Sequence, residues 1–465
     1  MEQLESDLQQ KIKHKQSLSQ QILLLKAREH TYKGLAYNRL QNQTTYRELL
    51  HQTTKKKKIW SVRQLISNFS DEIFDLVPCW LASPETVSAV FPMESFFDLV
   101  IFDEASQCYA EAGLPAIYRG KQVVITGDSK QLQPSDLYAV RFDDETDTTP
   151  ELEVNSLLDL AIQYLPQTQL TGHYRSQSID LIEFSNQHFY KNKLQILPHF
   201  DHINSGETNI KFIKVNGVFD ENKNEIEANE VVELVKKLKI AYPSKSIGIV
   251  TFNHAQQNLI QEKIELIAFK EESLAENLFV KNIENVQGDE RDIIIFSVGY
   301  GPDKHGKIKI QFGSLNLAGG ENRLNVAITR ARFQIYMLTS LLASQLNVED
   351  TLNEGPKLLK KYIAYAQQVA EGQYIRKGVL NEVVESSNSL KNRLKSTTKN
   401  LTEELPFADL VLKNKQHYEE LFLTDDNLFY QSLSAKEAHA YWPIGFAKKG
   451  WKFTKFYSRE FWRNG

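Results

Sequence analysis

Cysteine is scarce: the 465 residues contain only Cys79 and Cys108. Two thiols cannot build a disulfide scaffold or a four-thiolate zinc module. No apolar run approaches the roughly 20 residues that a membrane-spanning helix needs. The N-terminus, Met1-Glu2-Gln3-Leu4-Glu5-Ser6-Asp7, carries no apolar signal core. The expectation is a soluble, cytoplasmic protein with no membrane partner. Charge of one sign is also lacking, because 55 basic side chains against 59 acidic ones leave a net −4. That balance excludes a histone-like polybasic binder but leaves room for a locally basic groove. With 41% hydrophobic and 25% charged residues the chain can bury sizeable cores. Its length suits two or three domains.

Residues 1–77 lack proline and hold one glycine, Gly34. Leu4, Leu8, Ile12, Leu18, Ile22 and Leu25 fall mostly three or four apart, the spacing of one helix face. This predicts a long helix or helical hairpin over residues 1 to about 50. Such an arm either packs on a neighbouring element or self-associates as a coiled coil. The run Lys55-Lys56-Lys57-Lys58 that follows reads as solvated surface or as a nucleic-acid contact.

From Phe96 onward, short apolar runs alternate with helix-length stretches. Phe97–Phe102, Gln122–Thr126, Ile210–Val215, Ser246–Thr251, Leu278–Ile283, Asp292–Val298 and Gln334–Thr339 are rich in Val, Ile and Phe. They predict buried strands of parallel α/β sheets. The acidic stretch Phe142–Glu153 reads as a loop or connector. Beyond Leu346 the strand pattern stops; Gly355–Glu371 reads as a helix and the Ser/Asn/Lys-rich residues 373–413 as a linker.

Two strand ends carry the chemistry. Phe97-Asp98-Leu99-Val100-Ile101-Phe102 runs into Asp103-Glu104-Ala105-Ser106-Gln107. Adjacent carboxylates at the carboxyl edge of a parallel sheet suit nucleotide hydrolysis, one holding Mg²⁺ and the other activating water. Alone, the pair fits a solvated strand end equally well. The second strand, Gln122-Val123-Val124-Ile125-Thr126, ends in Gly127-Asp128-Ser129-Lys130-Gln131-Leu132-Gln133-Pro134. Here Gly127 would permit a tight turn, and Gln131 could sense a γ-phosphate.

These two segments resemble motifs II and III of the superfamily 1 helicases, in the branch containing the eukaryotic nonsense-decay helicase. Further matches follow in that family's order. They are Leu170-Thr171-Gly172-His173-Tyr174-Arg175-Ser176, then Ile247–Gln256 (motif IV), Val286–Ser297 (motif V) and Asn325–Arg332 (motif VI). The resemblance covers roughly residues 97–340, about half the chain. It implies tandem RecA-like parallel-sheet motor domains, the first incomplete, with an N-terminal long-helix arm and a small α+β tail. The implied boundaries are an arm at 1–77, the rest of the first motor at 78–150 and the second motor at 151–346. A helical extension at 347–372, the linker at 373–413 and the tail at 414–465 complete the division.

The resemblance also implies ATP-driven movement on single-stranded DNA or RNA, 5′ to 3′, with ATP and Mg²⁺ as cofactors. It assigns Asp103 to the metal, Glu104 and Gln131 to catalysis, and Arg175 and Arg330 to the transferring phosphoryl group. Gly127, Asp128, Gly288 and Glu290 match the nucleotide-binding segments. Thr251, Asn253 and Gln256 fall where the family grips the strand, and Ser83 and Thr86 resemble a strand-contact segment of the first motor. For these polar residues a role as helix caps and turn formers is the competing reading.

A motor of this family needs a Gly-Lys-Thr or Gly-Lys-Ser phosphate loop. The two Gly-Lys pairs here, Gly120-Lys121 and Gly306-Lys307, are followed by Gln122 and Ile308. The expectation is therefore a piece of a split or truncated helicase, a non-hydrolysing relative, or a chain completed by a polypeptide carrying the missing loop. The ending, Gly450-Trp451-Lys452-Phe453-Thr454-Lys455-Phe456-Tyr457, suits a half-exposed strand. It resembles the closing strand and helix of restriction-endonuclease-like modules fused to some bacterial helicases. No Asp…Glu-x-Lys metal site is legible upstream, and core packing is the expected role.

Overall fold

The computed structural model describes residues 2–37, 42–134, 154, 156–206, 208–269, 276–309, 311–374, 389–425, 432 and 434–464. It divides into two compact units, residues 1–129 with 133–168, and residues 130–132 with 169–465. The acidic connector read at 142–153 lies outside the described residues.

In the first unit, the predicted arm is formed by the helices Glu2–Tyr37 and Asn42–Thr54. Leu18, Ile22 and Leu25 on the first helix are exposed, whereas Ile12 is buried. Two strands, β1 (Val100–Phe102) and β2 (Val123–Ile125), flank the helix Ala110–Tyr118 and pair in parallel. Alternation along a strand sends successive side chains to opposite faces. Val100, Phe102, Val123 and Ile125 accordingly share a core with Ala105, Ala116, Leu157 and Leu158. The other face shows Leu99, Ile101 and Val124 to solvent, Ile101 at 62% exposure. Leu157 and Leu158 start the helix Leu157–Tyr164, which places that helix in the first unit. The compact units thus divide near residue 168, with Lys130–Leu132 belonging to the second unit.

A bare parallel pair with an apolar face open to water is a poorly stabilised element, since parallel sheets are normally covered on both faces. Limited proteolysis is therefore expected to cut within residues 1–140 well before residues 170–340. Equal resistance of the two regions would contradict this.

The second unit opens with β3 (Gly172–His173) and β4 (Gln195–Ile196), a short parallel pair. The main sheet follows from β5 (Ile210–Lys214), β6 (Ile247–Thr251), β7 (Leu278–Asn282), β8 (Arg291–Ser297) and β9 (Ala331–Thr339). All five strands are parallel, in the order β5-β9-β8-β6-β7. Ile247, Ile249, Ile293 and Ile295 face the helices Glu225–Ala241 and His254–Ala268. Val250, Ile294, Phe296 and Met337 alternate to the opposite face, against the helices Asp180–His188, Gly320–Ile328 and Glu354–Ala370. With both faces covered, these strands read as continuous apolar runs, which is why their pattern was legible. The helix expected at 355–371 shares this core through Leu359, Tyr362, Ile363 and Ala366.

The half-exposed strand expected near residues 450–457 is present at Phe453–Phe456, whereas the linker expected at 373–413 gives way. The supposed linker carries the helix Leu390–Thr397, β10 (Leu401–Thr402) and most of β11 (Leu410–Asn414). With β12 (His417–Thr424) and β13 (Phe453–Phe456) these form a sheet ordered β10-β11-β12-β13, antiparallel except for the last pair. Phe407, Val411, Tyr418, Leu421, Phe446 and Trp451 form one core with Ile179, Ile182 and Ile196. The Trp451 indole donates to the Pro198 carbonyl at 2.9 Å. The C-terminal sheet is thereby welded to the segment that follows Arg175, and Trp451 packs in the core as its sequence suggested.

Candidate functional site

At the carboxyl end of β1, Asp103 is exposed and its Oδ1 accepts the Glu104 amide at 3.1 Å and the Thr126 hydroxyl at 3.2 Å. Thr126 Oγ1 also reaches the Phe102 carbonyl at 2.9 Å. This hydroxyl, from the residue after β2, shares its single proton between the Phe102 carbonyl and the Asp103 carboxylate, and sequence reasoning did not single it out. Glu104 is exposed and sits at φ 54°, ψ 39°, the left-handed region that costs a non-glycine residue on the order of 1 kcal/mol or more. The donor set, a carboxylate with hydroxyl support at a strand end, suits Mg²⁺, which takes oxygen ligands and keeps much of its water.

Gly127 serves by smallness and not by turning. A Cβ there would lie 3.0 Å from the Ser106 amide nitrogen and 3.2 Å from that of Ala105. Asp128 follows it, half-buried, in the first unit.

In the second unit Arg175 Nε donates to Glu290 Oε2 at 2.8 Å, and Arg332 Nη1 reaches Glu290 Oε1 at 3.3 Å. The hydrogen bond from Arg175, with the surrounding guanidinium charges, holds the Glu290 carboxyl below its ordinary range. Gly288 precedes it at φ +82°, a left-handed position that suits glycine. The helix Gly320–Ile328 leads into Arg330, whose guanidinium is buried. Its Nε donates to the Val326 carbonyl at 2.8 Å and its Nη2 to Thr329 Oγ1 at 3.1 Å. In this conformation Arg330 is folded onto its own helix end and is not presented to a phosphate. Lys130–Leu132, with Gln131 at its centre, is held by two amides from quoted motifs whose role the sequence did not reveal. Asn325 Nδ2 donates to the Lys130 carbonyl at 2.7 Å, and Gln287 Oε1 accepts the Leu132 amide at 3.1 Å.

The expected strand contacts fare unevenly. Thr251 is fully buried with its hydroxyl donating to the Asn253 carbonyl at 3.1 Å. Gln256 is also fully buried, its amide nitrogen donating to the Asn224 carbonyl and to Ser297 Oγ. Neither faces solvent, so neither contacts a nucleic acid in this conformation. Asn253 caps the helix His254–Ala268, accepting from the Gln256 amide at 2.8 Å. Ser83 and Thr86 are exposed, but Ser83 caps the helix Pro84–Val90 and its hydroxyl lies 3.1 Å from that of Thr86. Placing a short polar residue just ahead of a helix serves its free amides first.

Behind Gln256 lies Glu227, fully buried, a residue the sequence motifs do not include. Its Oε1 accepts from Ser297 Oγ at 2.9 Å and the Gly299 amide at 2.7 Å, and Oε2 lies 3.2 Å from Ser340 Oγ. It thus ties the ends of β8 and β9 to the helix Glu225–Ala241. Burial pushes its carboxyl up from 4.5 to about 7. The folded state therefore prefers the protonated acid: its contribution is full below about pH 4.5 and is lost as pH rises through about 7. The loss is on the order of 3 kcal/mol. Glu227→Gln, which mimics the protonated form, is expected to raise the unfolding temperature at pH 8 and change it little at pH 5. Equal shifts at the two pH values would contradict this assignment.

Two profiles described as "AAA domain" match residues 154–341 and 1–135. Similar proteins include the "Uncharacterized ATP-dependent helicase MG140 homolog" of Mycoplasma pneumoniae, 36% identical over 64% of this chain and 28% of its own length. The chain belongs to the superfamily 1 helicases. "Uncharacterized ATP-dependent helicase MG140" of Mycoplasma genitalium is 33% identical over 70% of this chain and 31% of its own length. "Probable helicase senataxin" of Mus musculus is 28% identical over 53% of the chain and 10% of its own length. These matches place the chain in the helicase branch that its motifs resemble, with an α/β RecA-like fold. The chain spans under a third of the length of the mycoplasmal relatives it matches. Among the described residues, no helix is long and apolar enough to cross a membrane.

Proposed function

We propose that this chain carries the carboxylates and arginines of an ATP-dependent helicase that moves along single-stranded nucleic acid. The observation that carries this reading is the pair at the end of β1. Asp103 Oδ1 lies 3.2 Å from the Thr126 hydroxyl, and Glu104 is an exposed residue with a left-handed backbone. Mg²⁺ would supply charge neutralisation of the phosphates and a bound water shell, with Asp103 as its protein ligand. Glu104 takes the proton of the attacking water. In the second unit, Arg175 is oriented by Glu290, and its remaining donors can serve a phosphoryl oxygen. Arg330 serves the same chemistry only after exchanging the Val326 carbonyl for a phosphate.

The phosphate loop is assigned to polypeptide outside this sequence. Leu99, Ile101 and Val124, exposed on the open face of β1 and β2, are the surface such a segment would cover. A second reading, a remnant that binds nucleic acid or a partner without hydrolysis, is favoured by the lack of Gly-Lys-Thr and Gly-Lys-Ser. Mg-ATP turnover with and without single-stranded DNA or RNA, measured before and after addition of a loop-bearing polypeptide, separates the two. Turnover that appears on addition supports the motor, and none under either condition supports the remnant.

A further inference from the structure

The second unit contains a cleft of about 490 Å³ on the far side of which stands the C-terminal module, outside the helicase motifs. One wall is β3 and β4 with the following residue: Gly172, His173, Gln195, Ile196 and Leu197. The other is a helix of the C-terminal module, contributing Glu437, Tyr441, Trp442 and Gly445, with Ser434 just ahead of it. Its volume is that of a small-molecule site.

Three features of the walls bear on what would fit. First, the helix is locally widened. Glu437–Tyr441 forms a π turn, and Pro443, which has no N–H to offer the His439 carbonyl, follows within two residues. Both ends of that turn, Glu437 and Tyr441, line the cleft. Such turns recur at functional positions. Second, the rings form a prepared platform. Trp442 stacks on the buried Phe446 with centroids 5.6 Å apart, and Tyr441 remains 50% exposed. Third, among the described residues the lining holds no lysine or arginine. His173 adds no charge at neutral pH: burial draws it down to about 4, and its Nε2 accepts the Ser176 amide at 3.0 Å. A phosphate would find no counter-charge here. A flat, neutral ring with N–H groups on its edge would find stacking surfaces, the Gln195 amide, the Ser434 hydroxyl and the Glu437 carboxylate. Lys193, Lys436 and Lys448, within one to three residues in sequence of the lining residues Gln195, Glu437 and Gly445, are exposed and offer charge to a sugar-phosphate backbone.

We propose that this cleft is a binding site for one unstacked nucleobase of a single-stranded nucleic acid. The inference deepens the nucleic-acid reading above and adds the C-terminal module to the binding surface. β3 leads directly into Tyr174 and Arg175, so an occupied cleft braces the segment that carries a proposed catalytic arginine.

The test uses the full chain and two variants. Tyr441→Ala removes a half-exposed ring. Gly172→Val fills the cleft, because a Cβ at Gly172 meets nothing within 4 Å and its backbone is not left-handed. Circular dichroism checks that both remain folded. Adenosine is titrated against ribose 5-phosphate, read by tryptophan fluorescence. A dye-labelled single-stranded oligonucleotide is titrated against the same strand with abasic sites, read by anisotropy. Adenosine is expected to bind and ribose 5-phosphate not to, with each variant weakening adenosine about tenfold, as loss of one stacked base does. The intact oligonucleotide should weaken similarly in both variants, and the abasic strand should not. Adenosine affinity that is absent, or unchanged in both variants, overturns the cleft. Adenosine binding that behaves as expected while no oligonucleotide binds leaves the nucleobase site standing and overturns the helicase reading.

Discussion

Glu104→Gln is expected to lower strand-stimulated ATP turnover by about 10²- to 10⁴-fold once the chain is joined or complemented by a Gly-Lys-Thr or Gly-Lys-Ser loop, the range typical of a lost general base. Nucleotide affinity should stay close to that of the unsubstituted protein, because glutamine keeps the shape and loses only the ability to take a proton. The argument rests on where the sequence puts this residue. Asp103 is anchored by two hydrogen bonds to Oδ1, whereas Glu104 is turned out in the left-handed region. A non-glycine residue held in that region at a strand end is the observation from which a role for the carboxylate is inferred. Asp103→Asn should act differently, weakening the Mg²⁺ dependence of binding as well as turnover. If both substitutions leave turnover unchanged, the strand end is merely solvated, the bland alternative that the sequence alone left open.

The largest stability effect is expected at Trp451. Trp451→Ala should destabilise the second unit by about 3–5 kcal/mol, the usual cost of emptying a large aromatic site. The ring is buried, meets Phe200 at 5.2 Å and Phe407 at 5.4 Å, and its N–H satisfies the Pro198 carbonyl. Phe200 also donates its amide to the Lys449 carbonyl at 2.9 Å, and Asn204 exchanges two hydrogen bonds with the Tyr418 backbone. The damage should therefore spread into the segment after Arg175. Trp451→Phe keeps most of the apolar contact and loses the hydrogen bond, so a smaller cost of about 1–3 kcal/mol is expected. Urea unfolding gives both numbers. An unchanged midpoint for Trp451→Ala would mean that the C-terminal sheet is an independent appendage.

The second unit's sheet was legible because strands buried on both faces are written as unbroken apolar runs, as in Ile293-Ile294-Ile295-Phe296. Of the C-terminal strands only β13, with its alternating Lys and aromatic residues, was legible. β10 is two residues long, and the five-residue β11 ends in the polar pair Lys413-Asn414, so this stretch reads as loop. Their partners are also distant in sequence: Ile179, Ile182 and Ile196 complete that core, and no local pattern announces such a contact. At the candidate site, residue types were readable and their partners were not. Motif spacing marked Arg330 and Gln256, but only coordinates show one folded onto Val326 and the other locked under Asn224 and Ser297. Thr126 and Glu227 escaped notice because a single hydroxyl or carboxylate beside a strand end carries no pattern of its own.

The central claim is that this chain holds the carboxylates and arginines of a helicase motor and depends on other polypeptide for its phosphate loop. Mg-ATP hydrolysis by the purified chain, with and without single-stranded DNA or RNA and with Glu104→Gln alongside, tests it most directly. The account predicts oligonucleotide binding with no strand-stimulated turnover. Strand-stimulated turnover that disappears in Glu104→Gln would contradict it, showing that the motor is complete without a Gly-Lys-Thr or Gly-Lys-Ser loop.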